Sequence, residues 1–286
     1  MKFLGISRSA IFSPNSENRD QAIFQTVADV LNKEGHIVET MGEDELLHAN
    51  GLNLTEQFDA VFSMARHEEV LRQLSHEEEK SLFVFNSATA LLKASRSALT
   101  HLFETAGIPI PPSVALPCAE KDLEEIHFPA WLKRGDACAQ TANDVYFLQD
   151  KEDLKRALED FATRHISDAI VCEHIEGDLV KFYGVEGTNF FYLYYPTLSH
   201  NFSKFGLEKI NGAPSGFSFD KNQLKVCADQ AARLSGIRIY GGDCIVRADG
   251  SFLLIDFNDW PSYSACTATA AKAIAEMILK DLGHTK

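Results

Sequence analysis

The stretch FLLIDFNDWPS, Phe252 to Ser262, decides how the chain reads. Apolar residues run to Ile255 and stop at Asp256; Asn258 follows two residues later, then Asp259 and Pro261. The run is of strand length, and residues two apart point to the same side of an extended chain, so Asp256 and Asn258 share a face. Upstream, IYGGDCIVRADGSFLLIDFN reads as a hairpin turning at Asp249-Gly250, which brings Asp243 across to meet them. Three oxygen-bearing side chains on adjacent strand ends suit Mg²⁺, which takes one or two carboxylates and keeps its other positions for water and phosphate. Taken alone, the stretch reads equally as a strand-end turn carrying solvated acids.

The chain around it has 286 residues, enough for one large domain or two to three packed subdomains. With 45% hydrophobic and 24% charged residues, its composition is that of a globular protein. The net charge of −14 shows no basic footprint, which argues against nucleic acid as a partner and mildly against a highly phosphorylated substrate. Six cysteines stand at least 17 residues apart with no C-x-x-C, the pattern of free thiols in a reducing compartment. MKFLGIS is too short for a signal peptide, and no apolar stretch reaches membrane-spanning length. The expectation is a cytoplasmic protein without a membrane partner. The sequence does not set the oligomeric state, and a homodimer is one assembly open to it.

Strand and helix patterns alternate over the first 88 residues. KFLGIS, HIVETM, FDAVFSMA and SLFVFN read as strands; helices fall over SENRDQAIFQTVADVLNKEG and HEEVLRQLSHEEEK. This predicts a small parallel, Rossmann-like α/β domain. TALLKASRSALTHLFETAG reads as one helix ended by Gly107, and IPIPPS forces an extended chain after it. FPAWLKRGD pairs with DVYFLQD, KEDLKRALEDFATRH is an amphipathic helix, and DAIVCEHI is a strand. LVKFYGVEGTNFFYLYYP folds back at Gly187, and KNQLKVCADQAARLSG and ACTATAAKAIAEMILKDLG are the last helices. The polar segment from Pro196 to Asp220 is long for a bare connection and reads as a functional loop.

Several residues earn attention beside the Asp243, Asp256, Asn258 set. Lys133 ends a strand, where it can reach a phosphate or be a solvated tip. Arg96 lies on the helix before AGIPIPP. The strand AIVCEHIEGD leads into Glu173, His174, Ile175, Glu176 and Asp178. It can offer backbone groups to an adenine edge and an acid to ribose, or it is a core strand with an acidic turn.

The ordered set is similar to the ATP-grasp superfamily: a helix with a basic residue, AGIPIPPS, a strand ending in Lys, VCEHIEGD, and GGDCIV…GSFLLIDFN. The resemblance covers Asn86 to Leu282. It implies α+β lobes clasping ATP after an N-terminal α/β domain, divided as 1–88, 89–178 and 179–286. It implies Arg96 and Lys133 on the nucleotide phosphates and Lys181 facing the transferred phosphate or substrate. It also implies Glu173 to Ile175 as the adenine hinge, Glu176 or Asp178 at the ribose, and Asp243, Asp256 and Asn258 on Mg²⁺. Lys204 or Lys209 would reach over the γ-phosphate. RGDACAQTAND, with Gly135 as its only glycine, departs from the glycine-rich phosphate loop of many relatives, and Asp256 stands where Glu is usual, which suggests one well-held metal. The activity implied is ATP-dependent ligation of a small-molecule carboxylate to an amine through an acyl phosphate. A small-molecule kinase is the alternative, since LLIDFNDWPSYS and LVKFYGVEG also resemble inositol phosphate kinases of that superfamily. A non-catalytic nucleotide-binding protein is the third reading.

Weaker signals complete the set. His67 and His76 beside acids read as a solvated helix face before a metal site. Arg8 reads as a surface arginine before an anion ligand. Trp260 to Tyr263 either line an acceptor pocket or pack.

Overall fold

A computed structural model describes residues 1–13, 15–49, 53–118, 126–137, 141–196 and 210–283. Three four-stranded sheets succeed one another along the chain.

The first sheet is parallel, in the order β2-β1-β3-β4, from β1 (Lys2–Ser7), β2 (Ile37–Gly42), β3 (Ala60–Ser63) and β4 (Phe83–Phe85). Alternate residues of β1 face opposite layers. Phe3 packs with Ile23, Val27 and Leu31 of α1 (Glu17–Lys33), and Leu4 and Ile6 pack with Leu46 of α2 (Glu43–His48) and Leu74 of α4 (Glu68–Glu79). A short α3 (Leu54–Gln57) precedes β3. The C-terminal helix α9 (Thr267–Gly283) returns to lie beside α1, placing Ile274 and Ile278 in the core of the first sheet.

The expected helix over TALLKASRSALTHLFETAG is two helices, α5 (Ala88–Leu92) and α6 (Arg96–Thr105). Ser95 adopts extended backbone and its hydroxyl accepts the Ala98 amide at 3.2 Å, so it caps a new helix. Hydrophobic periodicity runs through such a break without registering it. Arg96 therefore stands in the first turn of α6.

The second sheet is antiparallel, order β5-β8-β6-β7, from β5 (Ser113–Pro117), β6 (Ala130–Arg134), β7 (Val145–Leu148) and β8 (Asp168–Glu173). Leu132 and Val171 pack on Leu154, Leu158 and Phe161 of α7 (Lys151–Thr163). By alternation Trp131 and Lys133 face the other way. The third sheet, order β10-β9-β11-β12, contains β9 (Asp178–Val185), β10 (Phe191–Tyr194), β11 (Ile239–Val246) and β12 (Phe252–Asp259), all antiparallel. Its hairpins turn where Gly187 and Asp249-Gly250 lead one to expect. Leu224, Ala228 and Ala231 of α8 (Lys221–Ser235) cover one face, together with Phe103 of α6. Among the described residues no helix is long and apolar enough to cross a membrane.

Candidate active site

A cleft of about 320 Å³ opens between the free faces of the second and third sheets and the loops after β1 and β3. Its two ends differ, and a β-bulge makes the difference. In the β11–β12 ladder Asp243 opposes Asp256 and Cys244 opposes Leu254, so Ile255 is the extra residue. Up to and including the bulged residue, Leu253 and Ile255 join Ile175, Leu179 and Ile245 in a small apolar cluster. After it the cleft-facing residues are Asp256 and Asn258, while Phe257, like Leu254 before the bulge, stays in the core on the other side. One strand thus lines an apolar end and a charged end of the same cleft.

At the charged end, Asp243 faces Asp256 on one side and Lys181 on the other, directly across the ladder. Lys181 Nζ donates to both Asp243 oxygens at 2.6 and 2.9 Å. Asn258 Nδ2 donates to Asp256 Oδ2 at 2.8 Å, and Arg96 Nη2 to Asp256 Oδ1 at 3.2 Å. Arg96 Nη1 is held by the carbonyls of Arg134 and Ala137, and Lys133 Nζ donates to the Ile255 carbonyl at 2.7 Å. Burial alone would raise the Asp256 carboxyl, but the charges of Arg96 and Lys133, with the hydrogen bonds from Asn258 and Arg96, hold it down at about 2. Gly242 permits this crowding: a Cβ there would lie 2.4 Å from the Asp256 carbonyl oxygen and 2.4 Å from the Phe182 ring. Two carboxylates and an amide oxygen from adjacent strands form a hard-oxygen donor set that fits Mg²⁺. Among the described residues no cluster of three His, Cys, Asp or Glu side chains competes for that role.

At the apolar end the Trp131 ring packs at a tilt against Phe147, centroids 4.8 Å apart, and donates Nε1–H to His174 Nδ1 at 3.0 Å. That bond makes Nδ1 an acceptor and puts the ring proton on Nε2. Burial lowers the His174 pKa, against the opposing pull of Glu176, which keeps the neutral ring in place. The amides of Glu173 and His174 are taken by the carbonyls of Pro112 and Pro129, both at 3.0 Å.

Two crystal structures of D-alanine–D-alanine ligase from Bacillus anthracis, one complexed with ATP, align over 100% of this chain and 100% of their own, with TM-scores of 0.67 at 12% and 11% sequence identity. The fold is ATP-grasp. No protein-family model and no curated protein matches the chain. At such low identity the likeness establishes the ATP-grasp architecture, and the site rests on its own geometry.

The cleft brings together Arg96, Lys133, Lys181, Asp243, Asp256 and Asn258, with Glu173, His174 and Ile175 lining it as well. Glu176, the next residue after Ile175, is exposed. Asp178 is a correction. It is buried, and its two oxygens accept the amides of Ser215, Gly216 and Phe217 at 2.6 to 2.8 Å, so it anchors a loop instead of facing a ribose. Its position after an acidic strand end suggested exposure; only the fold shows the chain crossing above it. Lys204 and Lys209 lie outside the described residues.

Arg8 is likewise corrected from surface to interior. Its side chain is 5% exposed and bonds Asp20, Asp259 and the carbonyls of Met64 and Trp260. Asp259 also pairs with Arg66, so the end of β12 is tied to the loops after β1 and β3. Glu43 braces the same loops: fully buried, it accepts the amides of Ser9, Arg66 and His67. No local motif announces Asp20, Glu43, Arg66 or Asp259. Glu43 and Arg66 follow the ends of β2 and β3 in the parallel sheet, where ligand crevices form, whereas Asp20 lies in α1 and Asp259 ends β12 of the antiparallel third sheet. Trp260 and Tyr263 are core residues, and Ser262 and Ser264 reach the cleft. His76 pairs with Glu79 on the exposed face of α4.

Proposed function

We propose that this chain is an ATP- and Mg²⁺-dependent carboxylate–amine ligase of the cytoplasm, organised as units 1–88, 89–178 and 179–286. The observation that carries the reading is the set at one end of the cleft: Asp256 in register with Asp243, Asn258 beside it, and Arg96, Lys133 and Lys181 converging from three segments. The ligase fold over the full chain supports it.

ATP places its base at the apolar end, against Ile175, Leu179, Ile245 and Ile255. With the Glu173 and His174 amides engaged in the sheet, the adenine edge meets the Ile175 amide and hinge carbonyls. Glu176 takes the ribose. Arg96, in the first turn of α6, and Lys133 hold the phosphates. Asp243, Asp256 and Asn258 would hold Mg²⁺, which supplies charge neutralisation on the transferring phosphoryl group. Lys181 is drawn from Asp243 toward the γ-phosphate as negative charge arrives. A carboxylate oxygen attacks the γ-phosphorus, the bond to the bridging oxygen breaks, and ADP leaves. The amine then adds to the acyl phosphate carbonyl, loses its proton and expels inorganic phosphate. The residues work by placement and charge compensation. The loops carrying Arg8 and Arg66 border the side from which the amine approaches.

The test is ADP release with Mg-ATP against pooled carboxylates and amines, then with hydroxylamine as the amine. Release that needs both partners, with hydroxamate formed, supports the ligase. Labelled γ-phosphate moving to a stable acceptor, with neither free phosphate nor hydroxamate, means a kinase. Unchanged ATP throughout means a binding protein.

A further inference from the structure

A second cavity, of about 570 Å³, lies behind the charged end of the cleft. The two share a wall whose polar residues are Arg66, Arg96, Lys133, Asp256, Asn258 and Asp259. Away from that wall the lining turns apolar, with Leu71, Leu91, Leu92, Leu99, Phe103 and Ile110. Leu91, Leu92, Leu99 and Ile110 are only half-buried, so the hydrocarbon surface is available to a ligand. Mixed apolar lining with a few convergent polar groups at one end is the character of a small-molecule site, and the volume suits one.

We infer that this cavity binds the hydrocarbon body of a monocarboxylic acid whose carboxylate lies at the shared wall. The charge there selects the head group. Three cations, Arg66, Arg96 and Lys133, stand against two carboxylates, Asp256 and Asp259, leaving one net positive charge. Of the remaining charged lining, Glu68 pairs with Arg72, and Asp136 is bonded twice by Arg134, which stands outside the lining. A ligand with an anionic head at the wall and an apolar body on α5 and α6 satisfies both ends. The inference rests on the ligase reading for its consequence: the donor acid enters from the α5–α6 side and the amine from the Arg8 side, meeting at the phosphate end between them.

The experiment measures binding apart from turnover. Dissociation constants of butanoate, hexanoate, octanoate and 4-phenylbutanoate are determined calorimetrically on the full chain, with hexylamine and hexanol as head-group controls. Affinity should rise about fourfold for each added methylene. The amine and the alcohol should bind at least about tenfold more weakly than hexanoate. Leu99→Trp, which fills the cavity, should flatten the series, and Ile110→Phe should shorten it. A flat series in the wild type, equal binding of hexylamine, or an unchanged series in a folded Leu99→Trp chain would overturn the inference. Graded binding without hydroxamate formation leaves this site standing and removes the ligase reading. Turnover of short acids with a flat series does the reverse.

Discussion

Replacing Asp256 with asparagine should move nucleotide binding and turnover in opposite directions. The Asp256 side chain keeps 27% of its surface, at the cleft floor, and its carboxyl is held at about 2 against an ordinary 3.8. That gap corresponds to about 2–3 kcal/mol favouring an anion at this point, supplied by Arg96 and Lys133 against the cost of burial. In Asp256→Asn both cations remain, since Arg96 is held by two carbonyls and Lys133 by the Ile255 carbonyl. The potential that stabilised the carboxylate then acts on phosphate. Metal-free ATP, measured calorimetrically in EDTA, should bind between about tenfold and a hundredfold more tightly than to the wild type. With Mg²⁺ present the advantage should vanish, and ADP release should fall at least about a hundredfold. Unchanged or weaker metal-free binding would mean that Arg96 and Lys133 do not address the phosphates. Turnover within threefold of the wild type would remove Asp256 from the metal set.

The neutral His174 ring accepts from Trp131, and its pKa is lowered below 6.5, so the unfolded chain binds more protons between the two values and stability rises with pH across that window. Tryptophan fluorescence should therefore titrate, and Mg-ATP affinity weaken, as pH falls through the lowered folded-state value of His174, on the acid side of 6.5; both should be absent in His174→Asn. Glu43→Ala removes the acceptor of three backbone amides, that of Ser9 buried and those of Arg66 and His67 partly buried, and should cost about 3 kcal/mol, lowering Tm by roughly 5–10 °C in calorimetry. Asp178→Ala should strip hydrogen-exchange protection from the amides of Ser215, Gly216 and Phe217 while β11 and β12 keep theirs.

The hairpin from Ile239 to Asp259 was legible because its signals are local. The Asp249-Gly250 turn, the apolar run and the period of two fix which residues meet. The same holds for Lys133 at the end of β6 and for the alternation that built the first sheet. The bulge at Ile255 left no such signal, since an extra residue changes the phase of the pattern only when the partner strand is known. The break before Arg96 was hidden because Ser95 interrupts the backbone while the apolar spacing continues. Asp178 and Arg8 were misread for a common reason: whether a charged side chain is exposed depends on segments distant in sequence, here residues 215–217 and Asp259.

The central claim is that a carboxylate is activated by phosphoryl transfer, and oxygen bookkeeping tests it most directly. The acid giving most hydroxamate is labelled with ¹⁸O in its carboxylate and turned over with Mg-ATP and hydroxylamine. The inorganic phosphate is then examined by mass spectrometry or by the ³¹P isotope shift. If an acyl phosphate forms, one labelled oxygen bridges carbon and phosphorus and leaves with phosphate, so each phosphate released carries one ¹⁸O. Unlabelled phosphate, with both labelled oxygens retained on the organic product, would contradict the account.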